Sequence, residues 1–306
     1  MNHKNNILIV GGTGFIGYHF AKKALKKGWK VTSISSKLPK KIRYLSKVKY
    51  KICDIRNRRS LEKTINKSFK YVVNLAGYVD HSKKTKTFES HYVGCKNLVE
   101  IFLKKPPKAF IQMGSSVEYG YSKSPQKEDI KCNLKSIKSV YGKAKLLSSI
   151  YLIDLFKKKK FPATVLRLYL AFGPQQDTNR FLPIIIKSCI KNKKFPCSKG
   201  NQLRDFVHVD DVVEAIFKSL ANKNARGQIL NIGSGKPRKI IHIINLVKKI
   251  LKGGYPQFGK IKLRKDEILK LYPSINKAKK KINWKPKIPF KKGLELTIKY
   301  YNEQAK

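Results

Sequence analysis

Short apolar runs alternate with segments of helical periodicity along the first half of the chain. The run from Ile7 to Val10 is too short to cross a membrane and is bounded by glycine, which predicts a buried parallel strand. Apolar residues then recur at helical spacing from Ile16 to Leu25, and Gly28 follows as a stop signal. The chain therefore opens with a strand, a glycine-rich turn and a helix.

The same alternation predicts further strands and helices. Strand-like runs extend over Val31 to Ser35, Val48 to Ile52, Tyr71 to Leu75, Ala109 to Met113 and Thr164 to Leu168. Helical spacing is found near Leu61 to Ile65, from Phe88 to Leu103, and from about Lys138 to Lys157. Repeated strand–helix units of this length favour a parallel, doubly wound sheet.

The pattern changes after Gly173-Pro174, where loops become longer and more charged. The segment from Phe206 to Val209 predicts a strand that leads into a capped helix from Asp210 to Leu220. Amphipathic helices follow near Ile240 to Leu251 and Lys291 to Tyr301. We predict an α/β protein with a parallel-sheet domain over residues 1–172, completed by part of residues 205–235, and a smaller α/β domain over residues 173–306. Without an evident linker, the two domains are expected to form a cleft.

The formal charge of +51, from 69 Lys plus Arg against 18 Asp plus Glu, would normally suggest a nucleic-acid partner. The lysines are spread over nearly every predicted helix and loop, however, and only ten of the basic residues are arginine, the side chain best suited to bidentate recognition. A compositional bias explains the charge, and we expect salt-sensitive adhesion to polyanions but no specific nucleic-acid partner.

We expect neither a membrane helix nor a metal site in this chain. No apolar run approaches the roughly 18 residues that a membrane helix needs, so we expect a cytoplasmic protein without a membrane partner. The five cysteines are odd in number and lack ligand-type spacing, which indicates reduced thiols. The six histidines are scattered, and no metal site is expected.

The turn after the first strand has the sequence GGTGFIG, from Gly11 to Gly17. Such glycines permit a tight turn, let the backbone approach a pyrophosphate and let the next helix pack closely on the sheet. The amides and dipole of the helix N-terminus would face a dinucleotide phosphate. Because the motif lies between a strand and a helix, it predicts a dinucleotide site of the Rossmann type rather than a merely structural turn.

A second group of residues points to proton transfer. Tyr141 and Lys145 are spaced i, i+4, on one face of the predicted long helix. An ammonium beside the phenol favours the phenolate, so the pair can move a proton to or from an alcohol or carbonyl oxygen. Ser115 and Ser116 end a predicted strand at the same sheet edge, where a hydroxyl can hydrogen-bond a reacting oxygen.

With these residues in place, the chain resembles the extended short-chain dehydrogenase/reductase family, in particular its NAD-dependent nucleotide-sugar epimerases, dehydratases and reductases. The resemblance implies a catalytic triad of Ser115, Tyr141 and Lys145. It also implies a set of cofactor contacts, which are Gly11, Gly14, Phe15, Ile16, Gly17, Asp54, Ile55, Leu75, Ala76, Gly77, Tyr141 and Lys145. Substrate contacts are expected from Ser116, Asn179, Arg180, Arg204 and Arg264, the arginines as clamps on a nucleotide diphosphate.

Departures from the family pattern narrow the expected reaction. The family's dehydratases carry an Asp-Glu pair directly after the catalytic hydroxyl, where this chain has Ser116-Val117, so dehydration is not expected. The motif SSVEYG instead resembles the corresponding motif of reductases that act on 4-keto-6-deoxy nucleotide sugars. His91 and Leu170 stand where the family commonly has asparagine. The sequence leaves two alternatives, an NAD-dependent 4-epimerase and a non-catalytic dinucleotide-binding regulator.

The end of the second strand bears on the choice of cofactor. An acidic side chain there would bind the ribose 2′-hydroxyl of NAD and repel the 2′-phosphate of NADP. This chain has Ser35, Ser36 and Lys37, which suit a phosphate better, so the cofactor is expected to be NADP rather than NAD.

The apolar stripes Leu98 to Phe102 and Leu146 to Leu155 also allow a homodimer of the kind the resemblance implies, although core packing explains part of both stripes.

Overall fold

A computed structural model describes residues 5–78, 82–263 and 267–305 of the chain. The strands are β1 Asn6–Val10, β2 Lys30–Ser35, β3 Val48–Ile52, β4 Tyr71–Asn74, β5 Ala109–Ser115, β6 Ala163–Leu168, β7 Leu170–Phe172, β8 Lys194–Pro196, β9 Leu203–Arg204, β10 Phe206–His208, β11 Gln228–Ile232, β12 Arg238–Lys239, β13 Tyr255–Gln257 and β14 Lys270–Leu271. The helices are α1 Phe15–Lys26, α2 Arg58–Thr64, α3 Lys84–Phe88, α4 Gly94–Leu103, α5 Val140–Lys159, α6 Phe181–Ile190, α7 Val209–Ala221, α8 Ile240–Leu251, α9 Asn276–Ile282 and α10 Phe290–Glu303.

Seven strands form one parallel sheet in the order β11-β6-β5-β4-β1-β2-β3. The chain starts in the interior of the sheet at β1, moves out to β3, and returns through β4 on the other side of β1. This reversal opens a crevice at the carboxyl ends of the strands, the usual ligand site of an open α/β sheet. The predicted doubly wound sheet is confirmed, and β11 extends it from far along the chain.

Strand β1 is buried on both faces, which explains its continuous apolar sequence. Ile7 and Ile9 belong to the core on one face of the sheet, which also contains α1 and α7. Leu8 and Val10 belong to the core on the other face, with α2, α4 and α5. The period-2 geometry of a strand thus divides one apolar run between two cores.

A third core lies in the C-terminal part of the chain. Residues of α6, α8 and α10 pack around Phe172 and Phe206, which lie on the paired short strands β7 and β10. Two further small sheets, β12-β9-β14 and β13-β8, border this core. Trp284 is fully buried below α7, and its indole Nε1 donates to the Asp211 carbonyl oxygen at 3.0 Å.

The structure corrects several predicted boundaries. The single helix expected from Phe88 to Leu103 is interrupted by a π-helical turn, Glu89–Val93, between α3 and α4. Strand β5 extends two residues beyond the predicted Met113 to include Ser115. Helix α6 was not predicted, because apolar residues occupy every position except Lys187 and Ser188 and leave no helical period to detect. Pro183 is tolerated because it lies in the first turn. Within the described ranges, no helix has both the length and the apolarity to cross a bilayer.

Candidate active site

The glycine-rich turn forms a close contact between β1 and the end of β4. Gly11 has φ +82, and a Cβ there would lie 2.8 Å from the backbone nitrogen of Ala76. A Cβ on Gly17 would lie 2.5 Å from the carbonyl oxygen of Gly11. Neither position has room for a side chain, so the glycines allow the backbone and α1 to approach each other as a dinucleotide cradle requires.

The N-terminus of α1 is open toward the same crevice. Gly14 is the N-cap residue and supplies no side-chain hydrogen bond, and the first turn contains no acidic residue. The first amides of a helix, here those of Phe15 and Ile16, have no acceptor within the helix. Together with the helix dipole they fit the pyrophosphate of a dinucleotide cofactor.

A cavity of ≈ 320 Å³ continues from this turn along the sheet edge. Its lining includes most of the predicted cofactor contacts, namely Gly11, Gly14, Asp54, Ile55, Leu75, Ala76, Gly77, Ser35 and Ser36. The Asp54 carboxylate accepts side-chain hydrogen bonds from the Arg56 guanidinium at 2.7, 2.9 and 3.1 Å. These bonds lower the pKa of Asp54, and Arg56 also bridges to Glu89 at 3.0 Å.

The end of β2 presents hydroxyl groups to this cavity. The Ser35 hydroxyl oxygen lies 3.5 Å from the amide nitrogen of Thr13, and Ser36 is exposed beside it. Lys37 is also exposed but does not line the cavity. The hydroxyls of Ser35 and Ser36, followed by the exposed Lys37, therefore lie at the end of β2, where the sequence predicts the choice between NAD and NADP.

The three predicted catalytic residues come together where β5 meets α5. Ser115 is the last residue of β5, and Tyr141 lies in the first turn of α5. Ser139 caps the N-terminus of this helix, and its hydroxyl accepts a hydrogen bond from the Gly142 amide at 3.0 Å. A side-chain hydrogen bond joins the hydroxyl groups of Ser115 and Tyr141.

Lys145 is buried one helical turn beyond Tyr141. Its Nζ donates a 2.6 Å hydrogen bond to the Met113 carbonyl oxygen and lies 5.9 Å from the Tyr141 ring centroid. Burial lowers the pKa of Lys145 to about 8, although the nearby negative charge of Glu118 acts in the opposite direction.

The protonation of Tyr141 differs from the sequence prediction. The sequence suggested that the Lys145 ammonium would favour the phenolate. In the structure burial is the largest effect and raises the pKa of Tyr141, while the hydrogen bond from Ser115 and the charge of Arg180 only partly lower it. The phenol therefore keeps its proton at neutral pH, which suits a proton donor.

His91 is a neighbour of Tyr141 that the sequence marked only as a departure from the family pattern. Its ring meets the Tyr141 ring edge-on with 4.8 Å between centroids, and its Nε2 lies 3.2 Å from the Tyr78 carbonyl oxygen. Gly77 has φ +155, and a Cβ there would lie 1.7 Å from the His91 ring. The histidine therefore packs between Gly77, which lines the cavity of the predicted cofactor contacts, and Tyr141.

A second cavity of ≈ 470 Å³ lies in the C-terminal part of the chain. It is mainly aliphatic, and its lining includes Leu170, Ile184, Ile244, Arg204 and Glu267. Arg204 is buried, forms an ion pair with Glu267, and donates to the Leu203 carbonyl oxygen at 2.9 Å. A guanidinium held in an apolar cavity by backbone and one carboxylate can engage phosphate oxygens.

The other predicted substrate residues lie at different places. Ser116 is buried directly after Ser115, and Asn179 and Arg180 are exposed at the start of α6. Arg180 is close enough to Tyr141 for its charge to lower the phenol pKa. Arg264 lies outside the described residues.

Sequence reasoning missed the buried residues that support this site. Glu118 accepts a hydrogen bond from the Ser115 amide at 2.7 Å and forms an ion pair with Arg167 at 2.8 Å. The spacing of Ser115 and Glu118 is that of a capping box, S-x-x-E, so a signal for this contact was present in the sequence. The pairing with Arg167 on β6 had no such local signal.

Another missed contact joins the two parts of the chain. Asp177, in the loop before α6, forms ion pairs with Lys40 at 3.2 Å and with the buried Arg43 at 3.1 Å. Lys40 and Arg43 follow β2, close in sequence to Ser35 and Ser36.

Across the described ranges, no group of three or more His, Cys, Asp or Glu side chains is placed to hold a metal ion.

Comparison with known proteins agrees with this geometry. The model of the NAD dependent epimerase/dehydratase family matches residues 7–233. A UDP-N-acetyl-alpha-D-glucosaminuronate decarboxylase of Bacillus cytotoxicus is 24% identical, with 98% of each chain covered. A putative UDP-glucose 4-epimerase of Methanocaldococcus jannaschii is 27% identical, covering 96% of this chain and 97% of that protein.

Among solved structures, the UDP-glucose 4-epimerase of Thermotoga maritima, determined with UDP-glucose, has a TM-score of 0.91 and 25% identity. The similarity covers 98% of this chain and 100% of that one. The protein is thus an enzyme that belongs to the NAD dependent epimerase/dehydratase family, whose members modify nucleotide sugars.

Proposed function

We propose that this enzyme transfers hydride between a nicotinamide cofactor and C4 of a nucleotide-diphosphate sugar, with Tyr141 handling the accompanying proton. The observation that carries the proposal is the meeting of Ser115, Tyr141 and Lys145 at the sheet edge beside the glycine-lined cavity. A donor phenol, a second hydroxyl and a buried ammonium are the groups that carbonyl reduction or alcohol oxidation needs.

The residues around the cavity fit a dinucleotide. Gly11, Gly14 and Gly17 leave space for the pyrophosphate at the start of α1, and Asp54 and Ile55 line the part expected to hold the adenine. Leu75, Ala76 and Gly77 line the part toward Tyr141. When bound, the cofactor donates or accepts hydride, and the remaining work is done by side chains of this chain.

In the reducing direction each triad residue has a separate task. Tyr141 donates its phenolic proton to the oxygen of the sugar ketone as that oxygen gains negative charge. The Ser115 hydroxyl hydrogen-bonds the same oxygen and holds it near the phenol. Lys145, fixed to the Met113 carbonyl oxygen, places a positive charge beside the transferred proton. Arg204 and Arg180 attract the diphosphate of the substrate.

Reduction of a 4-keto-6-deoxy sugar is the net reaction that the residues of this chain favour. Burial keeps Tyr141 in its proton-bearing form. Val117 follows the Ser115-Ser116 pair where a dehydratase would need an acid, and Ser35 and Ser36 suit NADP, a cofactor used for reduction. NADP preference, with Lys37 as a further phosphate partner, is part of this proposal.

The second candidate is 4-epimerisation, which the comparisons favour because relatives and solved neighbours carry the names of UDP-sugar 4-epimerases. An epimerase uses the same triad, but it oxidises and then reduces the same sugar carbon. Net consumption of the cofactor separates the two reactions, because an epimerase regenerates its NAD in every cycle.

A single assay panel tests these proposals. Purified enzyme is incubated with NADPH or NADH and with UDP- and dTDP-linked sugars, both 4-keto-6-deoxy and unmodified, while nicotinamide absorbance and product identity are followed. Loss of absorbance with a 4-keto sugar supports reduction, and interconversion of unmodified UDP sugars without absorbance change supports epimerisation. No turnover of any sugar in the panel, with folded enzyme that binds cofactor, would contradict C4 chemistry.

This proposal includes a cofactor domain over residues 1–172 and a substrate domain over residues 173–306. It also includes a homodimer. Leu98, Val99 and Leu152 pack inside the protein. Ile150 on α5, which is 49% exposed, remains available for a partner subunit. Sedimentation velocity of the wild type and of Ile150→Lys tests the dimer, which predicts a lower mass for the variant.

A further inference from the structure

A buried carboxylate lies behind the catalytic triad. Glu118 is fully buried, and both of its oxygens have partners. Oε1 accepts a 2.7 Å hydrogen bond from the Ser115 amide. Oε2 accepts one from the Ser149 hydroxyl at 2.7 Å and one from Arg167 Nε at 2.8 Å. One side chain thus connects the end of β5 with α5 and β6.

The partner on α5 lies on the same face of the helix as the catalytic residues. Tyr141, Lys145 and Ser149 are spaced i, i+4 and i+8, so the hydrogen bond to Ser149 constrains the face that carries the phenol and the ammonium. The hydrogen bond from the Ser115 amide to Glu118 constrains the backbone that carries the Ser115 hydroxyl, on the other side of the triad. Glu118 therefore contacts both elements whose relative position determines the Ser115–Tyr141 hydrogen bond.

Two features of the surroundings hold this carboxylate in one position. A Cβ on Gly114 would lie 2.6 Å from Glu118 Oε1, so a larger residue there would displace the carboxylate. The Arg167 guanidinium lies 4.4 Å from the Tyr119 ring centroid, and the Tyr119 hydroxyl donates to Asn231 Oδ1 at 2.8 Å. The charge of Glu118 is thus paired with a guanidinium that is itself held in place.

We propose that Glu118 is a positioning residue of the reaction, whose carboxylate fixes the Ser115 hydroxyl against Tyr141 by tying the end of β5 to α5 and β6. This inference rests on the proposed C4 chemistry. The negative charge has a second consequence, because it raises the pKa of both Tyr141 and Lys145 and so favours the forms that carry a proton. Both consequences suit an enzyme that donates a proton to a ketone.

Glu118→Gln tests the positioning role and the effect of the charge, because it keeps the shape of the side chain and removes its negative charge. An effect on substrate binding alone would change KM and leave kcat as in the wild type. We expect kcat for sugar reduction to fall by roughly tenfold or more, with KM for the sugar changed less than about twofold. The alkaline limb of the kcat/KM profile should move to lower pH by roughly half a unit or more. A purely structural role would leave that limb in place.

Two further variants complete the design. Ser149→Ala removes the connection to α5 but keeps the charge, so kcat should fall while the alkaline limb stays where it is in the wild type. Glu128→Gln is the matched control, because Glu128 is a partly buried carboxylate that also accepts a backbone hydrogen bond, from the Asn231 amide at 2.8 Å. It should leave both kcat and the pH profile within about twofold of the wild type.

Folding of each variant is checked by circular dichroism and thermal unfolding. If Glu118→Gln does not fold, Ser149→Ala and the double variant E118Q/R167M, which removes both buried charges, take its place. A folded Glu118→Gln or E118Q/R167M enzyme with wild-type kcat and an unmoved alkaline limb would overturn the inference, as would wild-type kcat in Ser149→Ala.

A separate readout distinguishes failure of this inference from failure of the proposed function. Ultraviolet titration of Tyr141, taken as the difference between each enzyme and its Tyr141→Phe form, needs no substrate. The titration should begin at lower pH in Glu118→Gln than in the wild type, even if none of the tested sugars is turned over. An unchanged titration would reject the effect of the Glu118 charge whatever the substrate is.

Discussion

The Nζ atom of Lys145 donates a 2.6 Å hydrogen bond to the carbonyl oxygen of Met113, two residues before Ser115 on the same strand. The ammonium on α5 is therefore anchored to the strand that carries Ser115, whose hydroxyl we propose to be catalytic. The triad forms where one helix and one strand pack together, so its geometry depends on core packing rather than on a mobile loop. The same burial lowers the pKa of Lys145 to about 8.

This pKa predicts the pH dependence of reduction. Lys145 carries its charge below about pH 8 and loses it above, while Tyr141, whose pKa is raised, still holds its proton. The kcat/KM for a keto sugar should therefore be nearly constant from pH 6.5 to 7.5 and fall about tenfold per unit well above pH 8. Stopped-flow rates in constant-ionic-strength buffers measure the profile, and activity that rises through pH 9 would refute the assignment.

The hydroxyls at the end of β2 predict the preference between cofactors. Ser35→Asp places a carboxylate where a 2′-phosphate is expected, so the ratio of kcat/KM for NADPH to that for NADH should fall by roughly tenfold or more. Ser35→Ala, which adds no charge, serves as the control and should change the ratio only a few-fold. Equal ratios in Ser35→Asp and the wild type would remove Ser35 from the cofactor site.

Gly77 and Gly28 form a matched pair for testing the contact with His91. Both have positive φ, but a Cβ on Gly77 would meet the His91 ring at 1.7 Å, whereas one on Gly28 has nothing within 4 Å. Gly28→Ala should cost about 1–2 kcal/mol of unfolding free energy and leave cofactor affinity unchanged. Gly77→Ala should also weaken cofactor binding by roughly tenfold or more, as measured by nicotinamide fluorescence titration. Equal cofactor affinities in the two variants would argue against the proposal that the close packing of His91 on Gly77 shapes the cofactor site.

Trp284 anchors the C-terminal segment to α7. Trp284→Phe removes the hydrogen bond from Nε1 to the Asp211 carbonyl oxygen and leaves a small void, so it should lower the unfolding free energy by about 1–3 kcal/mol. Trp29 is only partly buried, where it stacks on Tyr71 with centroids 5.2 Å apart, and Trp29→Phe should have a smaller effect. Urea unfolding of the two variants measures the difference, and the reverse order would contradict this role.

Local patterns explain what could be predicted from the sequence. The run Ile7 to Val10, the glycines after it and the helical spacing of Tyr141 and Lys145 are short-range signals, and they led to the doubly wound sheet and to the residues that meet at its edge. Ser115 could be placed at the sheet edge because it closely follows the apolar run that ends at Met113, and the strand extends two residues further to include it.

Contacts between distant segments explain the rest. The pairing of Glu118 with Arg167 joins residues 49 positions apart, and the ion pairs of Asp177 with Lys40 and Arg43 join the two halves of the chain. Such pairs leave no periodicity in a single sequence. The raised pKa of Tyr141 likewise follows from burial by several elements, which spacing along one helix does not reveal.

The most direct test of the central claim is the rate of hydride transfer in Tyr141→Phe. A single-turnover experiment mixes enzyme and bound NADPH with a nucleotide-linked 4-keto-6-deoxy sugar and follows nicotinamide fluorescence in the wild type and the variant. The account predicts that Tyr141→Phe binds cofactor with wild-type affinity but transfers hydride at least about a hundredfold more slowly. Hydride transfer at the wild-type rate in this variant would contradict the role of Tyr141, and with it the assignment of this site.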